Sequence, residues 1–417
     1  MVREVVALRL AASAWCWIAL ALACAVTALA TWPLRSAPSP TRFAVAVEPR
    51  TDDELAIVTA MSLDTWSEHA GAGEPIVVVL TRDGIEALAA RGISHEIVVQ
   101  DIAAAASKER DRLAHRSRLA SSDEWFSDYR DLEEVTAYLD RLVDRHPSLS
   151  AKRDLGASVE GRSIAALEIG RGGNQTIVLN GGQHAREWVS VMVPMCIADR
   201  ILESHDRDPR LRRILDTVSF VIVPVVNPDG YVHTWTVDRY WRKNRRGGYG
   251  VDLNRNYDVG WGGAGSSPDR SSPNYRGEHP SSEPETQAMR SLFERANVAA
   301  HIDFHSYSQV IVYPWSYQRA EPDDRTAFEA IAARMSEALE ARQGQPYAIR
   351  PGSQLKTGAG GTLGDWAYGA TGALSFLIEL RPANGPGGFV LPPEQIVPTC
   401  EESLAAVLEL AESISEQ

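Results

Sequence analysis

Cysteine is scarce in this chain of 417 residues: there are four, and Cys16 and Cys24 lie in an apolar N-terminal stretch, leaving only Cys196 and Cys400 in the body of the protein. A disulfide-dense scaffold is therefore excluded, while one bridge or two buried thiols both remain open, because geometry rather than sequence decides pairing. Aromatic residues make up only 7%, and positive charge is in deficit, with a formal net charge of -13. That balance gives no electrostatic footprint for nucleic acid. Repeats at solenoid period are also missing.

What is present begins with Arg3 and Arg9, followed by an apolar run from Leu10 to Trp32 that contains Ala28-Leu29-Ala30. Residues 1–32 have the layout of a secretory signal, and the run is also long enough to stay uncleaved as a membrane anchor. A lipid anchor at Cys24 is disfavoured by Ala21 three residues earlier. Beyond the linker Ser36-Ala37-Pro38-Ser39-Pro40, residues 42–101 read as a small module: a strand from Arg42 to Val47, a helix opened by Asp52, a short strand near Leu63 to Trp66, a strand Ile76 to Leu80, a helix Asp83 to Arg91 and a strand Ile97 to Val99. That order predicts an α+β open sandwich with an antiparallel sheet. Residues 102–122 turn polar and basic (Lys108, Arg110, Arg112, Arg116, Arg118), either as a solvated helical connector or as a segment that an endoprotease cuts.

From residue 123 to 417 helices and strands alternate. Buried-type strands are expected at Thr176 to Asn180, Val218 to Val226, Ala300 to Phe304 and Leu374 to Leu380. Apolar runs separated by helices predict an α/β fold with a mixed, mostly parallel twisted sheet of about eight strands and helices on both faces. Ligands in such sheets bind beyond the carboxyl ends of the strands. His184, the Asn227-Pro228-Asp229-Gly230 turn, His305 and Glu379 all fall at or near such ends.

The segment Gln183-His184-Ala185-Arg186-Glu187-Trp188 places an imidazole and a carboxylate three residues apart, just after a strand closed by Asn180-Gly181-Gly182. Side chains at that spacing emerge on one side of a turn or first helical turn. With His305 they would make a three-ligand zinc site open at the fourth position, the pattern of catalytic zinc. Alone, an H-x-x-E pair is usually a surface ion pair and a strand-end histidine usually a satisfied core residue. Glu379 differs, because a carboxylate inside Phe376-Leu377-Ile378-Glu379-Leu380 is costly without a partner or a task. Trp241-Arg242-Lys243-Asn244-Arg245-Arg246 and Asp252-Leu253-Asn254-Arg255-Asn256-Tyr257 read by themselves as a solvated basic stretch and a polar loop.

Taken in order, these segments resemble the zinc metallocarboxypeptidases of the pancreatic carboxypeptidase A/B type, in a bacterial-style form. So do Asp128-Tyr129-Arg130, Glu160-Gly161-Arg162-Ser163-Ile164, Ser282-Glu283-Pro284-Glu285, His305-Ser306-Tyr307-Ser308-Gln309 and Ile378-Glu379-Leu380-Arg381. The resemblance implies an inhibitory propeptide at 42–101, an activation segment at 102–122 and a catalytic domain at 123–417. It further implies one Zn²⁺ per chain on His184, Glu187 and His305, Asp252 fixing the tautomer of His184, Glu379 as the base and Arg245 as oxyanion donor. Asn254 and Arg255 correspond to the clamp for a free C-terminal carboxylate, with Arg186, Arg242 and Tyr307 lining the approach. The implied protein is a secreted or periplasmic monomer acting on peptides or proteins and activated by an endoprotease.

Two features depart from the family. Its mobile tyrosine has no counterpart near Lys356 and Thr357, and the loop from Arg245 to Asn254 is short and lacks cysteines. Gly364 stands where relatives that cut basic residues carry an acid, so an apolar or aromatic terminal residue is expected. Two other classes share parts of this pattern: an exported peptide-binding protein without turnover, and a zinc amidohydrolase of N-acyl amino acids.

Overall fold

A computed structural model describes residues 40–67, 73–115, 122–343, 346–355, 357–383 and 388–416. The expected signal or anchor at 1–32, the 116–121 part of the connector and Lys356 lie outside the described residues. Twelve strands are named here: β1 Phe43–Val47, β2 Asp64–Thr65, β3 Ile76–Leu80, β4 His95–Val99, β5 Ser150–Ala157, β6 Ser163–Ile169, β7 Gln175–Asn180, β8 Val218–Val223, β9 Val298–Ser306, β10 Val310–Tyr313, β11 Ala348–Pro351 and β12 Leu374–Leu380.

The N-terminal module is an antiparallel sheet in the order β2-β3-β1-β4, as expected from its order of strands and helices. Because side chains alternate across a strand, Phe43, Val45 and Val47 of β1 join Ile76, Val78 and Leu80 of β3 in a core with Val58 and Leu88 from the helices Asp52–Met61 and Arg82–Ala90. The opposite face, with Ala44, Val77 and Val79, packs with Trp66 and Ile102 against Tyr307 and Phe389 of the larger part of the chain. Both faces of this small sheet are thus covered.

The main sheet runs β11-β10-β12-β9-β7-β8-β6-β5. Its centre, β12-β9-β7-β8, is parallel, and β10, β6 and β5 supply the antiparallel pairings. β-Branched and apolar runs such as Thr176-Ile177-Val178-Leu179 suit these doubly covered central positions. On one face the helices Leu132–Arg145, Trp188–Ser204, Arg325–Gln343 and Ile396–Ser415 build the larger core, and on the other Pro284–Arg295 and Leu363–Thr371 pack with Leu253 and Tyr257. β8 stops at Val223, short of the expected Val226, where Pro224 has no N–H to give to a ladder. Cys196 and Cys400 form a disulfide between the helices Trp188–Ser204 and Ile396–Ser415, which settles the pairing that sequence left open. Among the described residues no helix is long and apolar enough to cross a membrane.

Candidate metal centre and peptide-binding cleft

The chain leaves β7 through Gly181 and Gly182, where a close approach admits no side chain. A Cβ at Gly181 would sit 1.8 Å from the Ser190 carbonyl, and Gly182 has φ +60. This turn lifts Gln183 to Glu187 over the sheet edge and starts the helix Trp188–Ser204, with Glu187 at its N-cap position. Ser190 secures the turn, accepting from the Gly182 N–H at 3.0 Å and donating to the Glu187 carbonyl at 2.7 Å. Short-range sequence thus places two of the three expected ligands.

β9 brings the third. His184 Nδ1 lies 2.8 Å from Glu187 Oε1, and His305 Nδ1 lies 3.0 Å from both His184 Nδ1 and Glu187 Oε2. The donor atoms of the three buried residues all fall within 4.8 Å of one another. Two imidazole nitrogens facing each other across a carboxylate need a shared cation, and two nitrogens with one carboxylate suit Zn²⁺. The residues present therefore fit the metal. The Ser306 N–H donates to Glu187 Oε2 at 3.2 Å and steadies the carboxylate.

Charge around the cluster is arranged accordingly. Burial alone would raise the Glu187 carboxyl, but His184 and His305 hold it down to about 2. Asp252 is kept well below the carboxylate range: burial opposes this, and Arg242, Arg255 and His184 outweigh it. Asp252 Oδ1 faces His184 Nε2 at 3.2 Å, while Oδ2 accepts from Arg242 Nε at 3.1 Å and Nη2 at 2.9 Å. A second carboxylate, Asp303, approaches His305 Nε2 at 3.0 Å, off the axis of the ring N–H. Burial would lower the His305 imidazole, and Asp303 and Glu187 instead raise it.

Glu379 reaches the cluster through the sheet. In the parallel pairing of β12 and β9, Glu379 stands in register with His305, so their side chains share one face as neighbours. Glu379 is only 1% exposed.

The remaining expected residues are placed as follows. Asn254 and Arg255 are buried beside Asp252; Asn254 Oδ1 accepts from the Leu363 N–H at 2.9 Å, and Arg255 donates to the carbonyls of Asn254 at 2.7 Å and Gly265 at 3.0 Å. The Leu363 contact ties the segment carrying Gly364 to this loop. A Cβ on Gly364 would meet only Ser375 Oγ, at 3.4 Å. Arg245 makes its contacts with the Gly248 carbonyl at 3.5 Å, the Trp241 ring at 4.5 Å and Glu160 at 4.0 Å, so it is in the loop beside Asn244 and not joined to the ligand cluster. Tyr307 is buried, 5.2 Å from the Phe389 ring, and burial pushes its phenol up, with Glu379 and Asp64 adding to the effect against Arg186.

Arg186 is covered by the N-terminal module. It pairs with Asp64, donates to the Thr65 carbonyl at 3.2 Å and lies 4.3 Å over the Phe389 ring. Trp66 packs next to it, stacked on Tyr240 at 4.9 Å and edge-on to Phe389 at 5.3 Å. The connector helix Ile102–Ala114 is more than a solvated linker: its buried Glu109 pairs with buried Arg239, which donates to the carbonyls of Arg186 at 2.8 Å and Phe389 at 2.9 Å. Sequence reading singled out neither Glu109, Arg239, Asp64 nor Asp303.

The family model described as Zinc carboxypeptidase matches residues 135–406. The chain belongs to this family. It is 35% identical over 376 residues to carboxypeptidase A1 of Sus scrofa, covering 86% of this chain and 89% of that one. With carboxypeptidase A2 of Rattus norvegicus it shares 34% over 378 residues, covering 88% and 90%. Among solved structures, carboxypeptidase A from Helicoverpa armigera superposes with a TM-score of 0.80 at 27% identity, covering 91% of this chain and 99% of that chain. Thrombin-activatable fibrinolysis inhibitor gives 0.82 at 29%, covering 90% and 100%. The protein is a zinc metallocarboxypeptidase, an exopeptidase that hydrolyses the C-terminal peptide bond of its substrates.

Proposed function

We propose that His184, Glu187 and His305 hold the zinc, that Glu379 is the general base and that the protein is made as a latent precursor. The convergence of two imidazoles and a carboxylate, with Glu379 in register beside His305, carries this reading. When bound, zinc polarises the scissile carbonyl and lowers the pKa of water toward ~7. Glu379 takes the proton from the attacking water and passes it to the leaving amine. Asp252 keeps the proton of His184 on Nε2, so that Nδ1 presents its lone pair to the metal position.

Asn254 and Arg255 grip the terminal carboxylate, a guanidinium beside an amide being suited to a paired fork. Arg245 supplies a permanent positive charge for the oxyanion once substrate draws it from the Trp241 ring. Arg242 acts by holding Asp252 rather than by touching substrate. The half-buried Leu377 and the absence of an acidic side chain at Gly364 favour an apolar or aromatic terminal side chain.

The module of β1 to β4 blocks the cleft by occupying Arg186 with Asp64 and Thr65 and by wedging Trp66 against Tyr240 and Phe389. Cleavage in the connector 102–122 by an endoprotease releases it. The Cys196–Cys400 disulfide fits export to an oxidising compartment, secreted or periplasmic. The test is hydrolysis, by a zinc-loaded chain trimmed to begin near Ser122, of a blocked dipeptide ending in phenylalanine and of the same dipeptide as its C-terminal amide. Turnover of the free acid alone supports the exopeptidase clamp, and equal turnover of the amide contradicts it.

A further inference from the structure

We infer that Asp303 is a positioning residue for His305, fixing through a buried polar ladder across three strands the imidazole tautomer that binds zinc; the inference rests on reading His305 as a metal ligand. In β9, His301, Asp303 and His305 alternate with Ile302 and Phe304, so the three polar side chains share one face. Register places Asn180 of β7 opposite Asp303, and Ser375 and Glu379 of β12 opposite His301 and His305.

Hydrogen directions along this ladder follow from one anion. As a carboxylate, Asp303 only accepts. Asn180 Nδ2 must therefore face it, at 2.6 Å from Oδ1, and Gln183 Nε2 faces Oδ2 at 2.9 Å. That orientation turns Asn180 Oδ1 toward His301 Nε2 at 2.6 Å, so Nε2 carries a proton. His301 Nδ1 is then left to accept from Ser375 Oγ at 2.7 Å. A neutral His301 satisfies both bonds, and burial pushes that imidazole down to about 4. On the other branch, Gln183 Oε1 lies 3.3 Å from the Tyr257 hydroxyl, which donates to it. Every hydrogen points toward Asp303.

His305 Nε2 lies 3.0 Å from Asp303 Oδ2, off the ring N–H axis, where a bare nitrogen would set its lone pair against the carboxylate, so the proton belongs on Nε2. In the neutral ring that a metal binds, Nδ1 then carries the lone pair, aimed at the position shared with His184 and Glu187. Both ligand histidines then carry a carboxylate on the far nitrogen, Asp252 on one and Asp303 on the other. Asp303 is not a counter-charge for a basic substrate residue, because it is 1% exposed, accepts from two buried amides and lies against His305.

The test is Asp303→Asn in the full-length chain, with zinc affinity read by chelator competition and thermal stability of the metal-free protein read alongside. The amide can offer N–H to His305 Nε2 and favour the wrong tautomer, so the zinc dissociation constant is expected to rise about 10- to 100-fold. Unchanged zinc affinity overturns the inference, whether the variant merely melts earlier or selectively changes kcat/KM for substrates ending in lysine or arginine. His305→Ala separates the two levels: if it leaves zinc affinity unchanged, the ligand reading itself fails, and if it abolishes binding while Asp303→Asn does not, only the ladder fails. Should Asp303→Asn not fold, Asn180→Ser removes one donor that orients Asp303 and is expected to weaken zinc severalfold; unchanged affinity there overturns the inference equally.

Discussion

Replacing Trp66 by alanine in the uncut chain tests the proposal that the N-terminal module silences the cleft. Trp66 is 1% exposed, and its ring contacts are with Tyr240 and Phe389 on the catalytic side, at 4.9 and 5.3 Å. It belongs to the cluster in which Ala44, Val77 and Val79 meet Tyr307 and Phe389 rather than to the module's own core of Phe43, Val45 and Val78, so much of its loss falls on docking. Truncating a buried tryptophan costs about 3 to 5 kcal/mol. Even ~3 kcal/mol raises the population of an undocked module by roughly a hundredfold. Asp64→Asn removes an ion pair whose carboxylate side chain is 22% exposed, and a smaller gain, on the order of tenfold, is expected from it. Initial rates on a blocked dipeptide, with intact mass confirming that the chain is uncut, are compared with those of a chain trimmed to begin near Ser122. Activity of uncut Trp66→Ala should climb toward that of the trimmed chain. Equal rates for the uncut wild type and the trimmed chain would refute the reasoning.

Other outcomes follow from the same contacts. Burial lifts the Glu285 carboxyl to about 7 against an ordinary 4.5, with Glu283 adding to the effect and the Val159 N–H and Asn244 opposing it. The folded chain thus holds a proton there between about 4.5 and 7 that the unfolded chain has released, so stability falls as pH rises through that window. Glu285→Gln should melt later than wild type at pH 8 and show no gain below pH ~4.5, by calorimetry, the shift corresponding to ~3 kcal/mol at most. Cys196→Ser opens a crosslink spanning 204 residues and should cost up to ~5 kcal/mol in denaturant titrations; an unchanged midpoint would show that the bridge adds nothing. Arg255→Gln should raise KM for free-acid substrates about 10- to 100-fold with little change in zinc content, since a hydrogen bond to a charged group is worth ~1.5–3 kcal/mol.

Much of this architecture was legible in the chain because its signals are local. The apolar runs became β7, β9 and β12, and the strands expected from Arg42 to Val47 and Ile76 to Leu80 became the centre of the two-faced small sheet. The closeness of His184 and Glu187 was readable because a three-residue spacing needs only a turn, and Glu379 stands out as a candidate because a carboxylate in an apolar run demands a reason. What stayed hidden depends on long-range pairing. Nothing near Arg186 announces that Asp64 and Thr65 will take its guanidinium, nor does the basic stretch at Arg242 reveal Asp252 as its partner. The Cys196 and Cys400 pairing waited on helix placement for the same reason. Asp303 carries a local signal as well: His301, Asp303 and His305 stand at alternate positions in an apolar strand and so share a face. The polar connector misled in part, since composition shows exposure but not that Glu109 turns inward to Arg239.

The most direct measurement is the turnover of zinc-loaded Glu379→Gln, trimmed to begin near Ser122, on a blocked dipeptide with a free carboxyl terminus. With one zinc per chain retained, kcat should fall by about 10² to 10⁴, the range a positioned acid–base group supplies. Retention of most wild-type activity at full zinc occupancy would contradict the account.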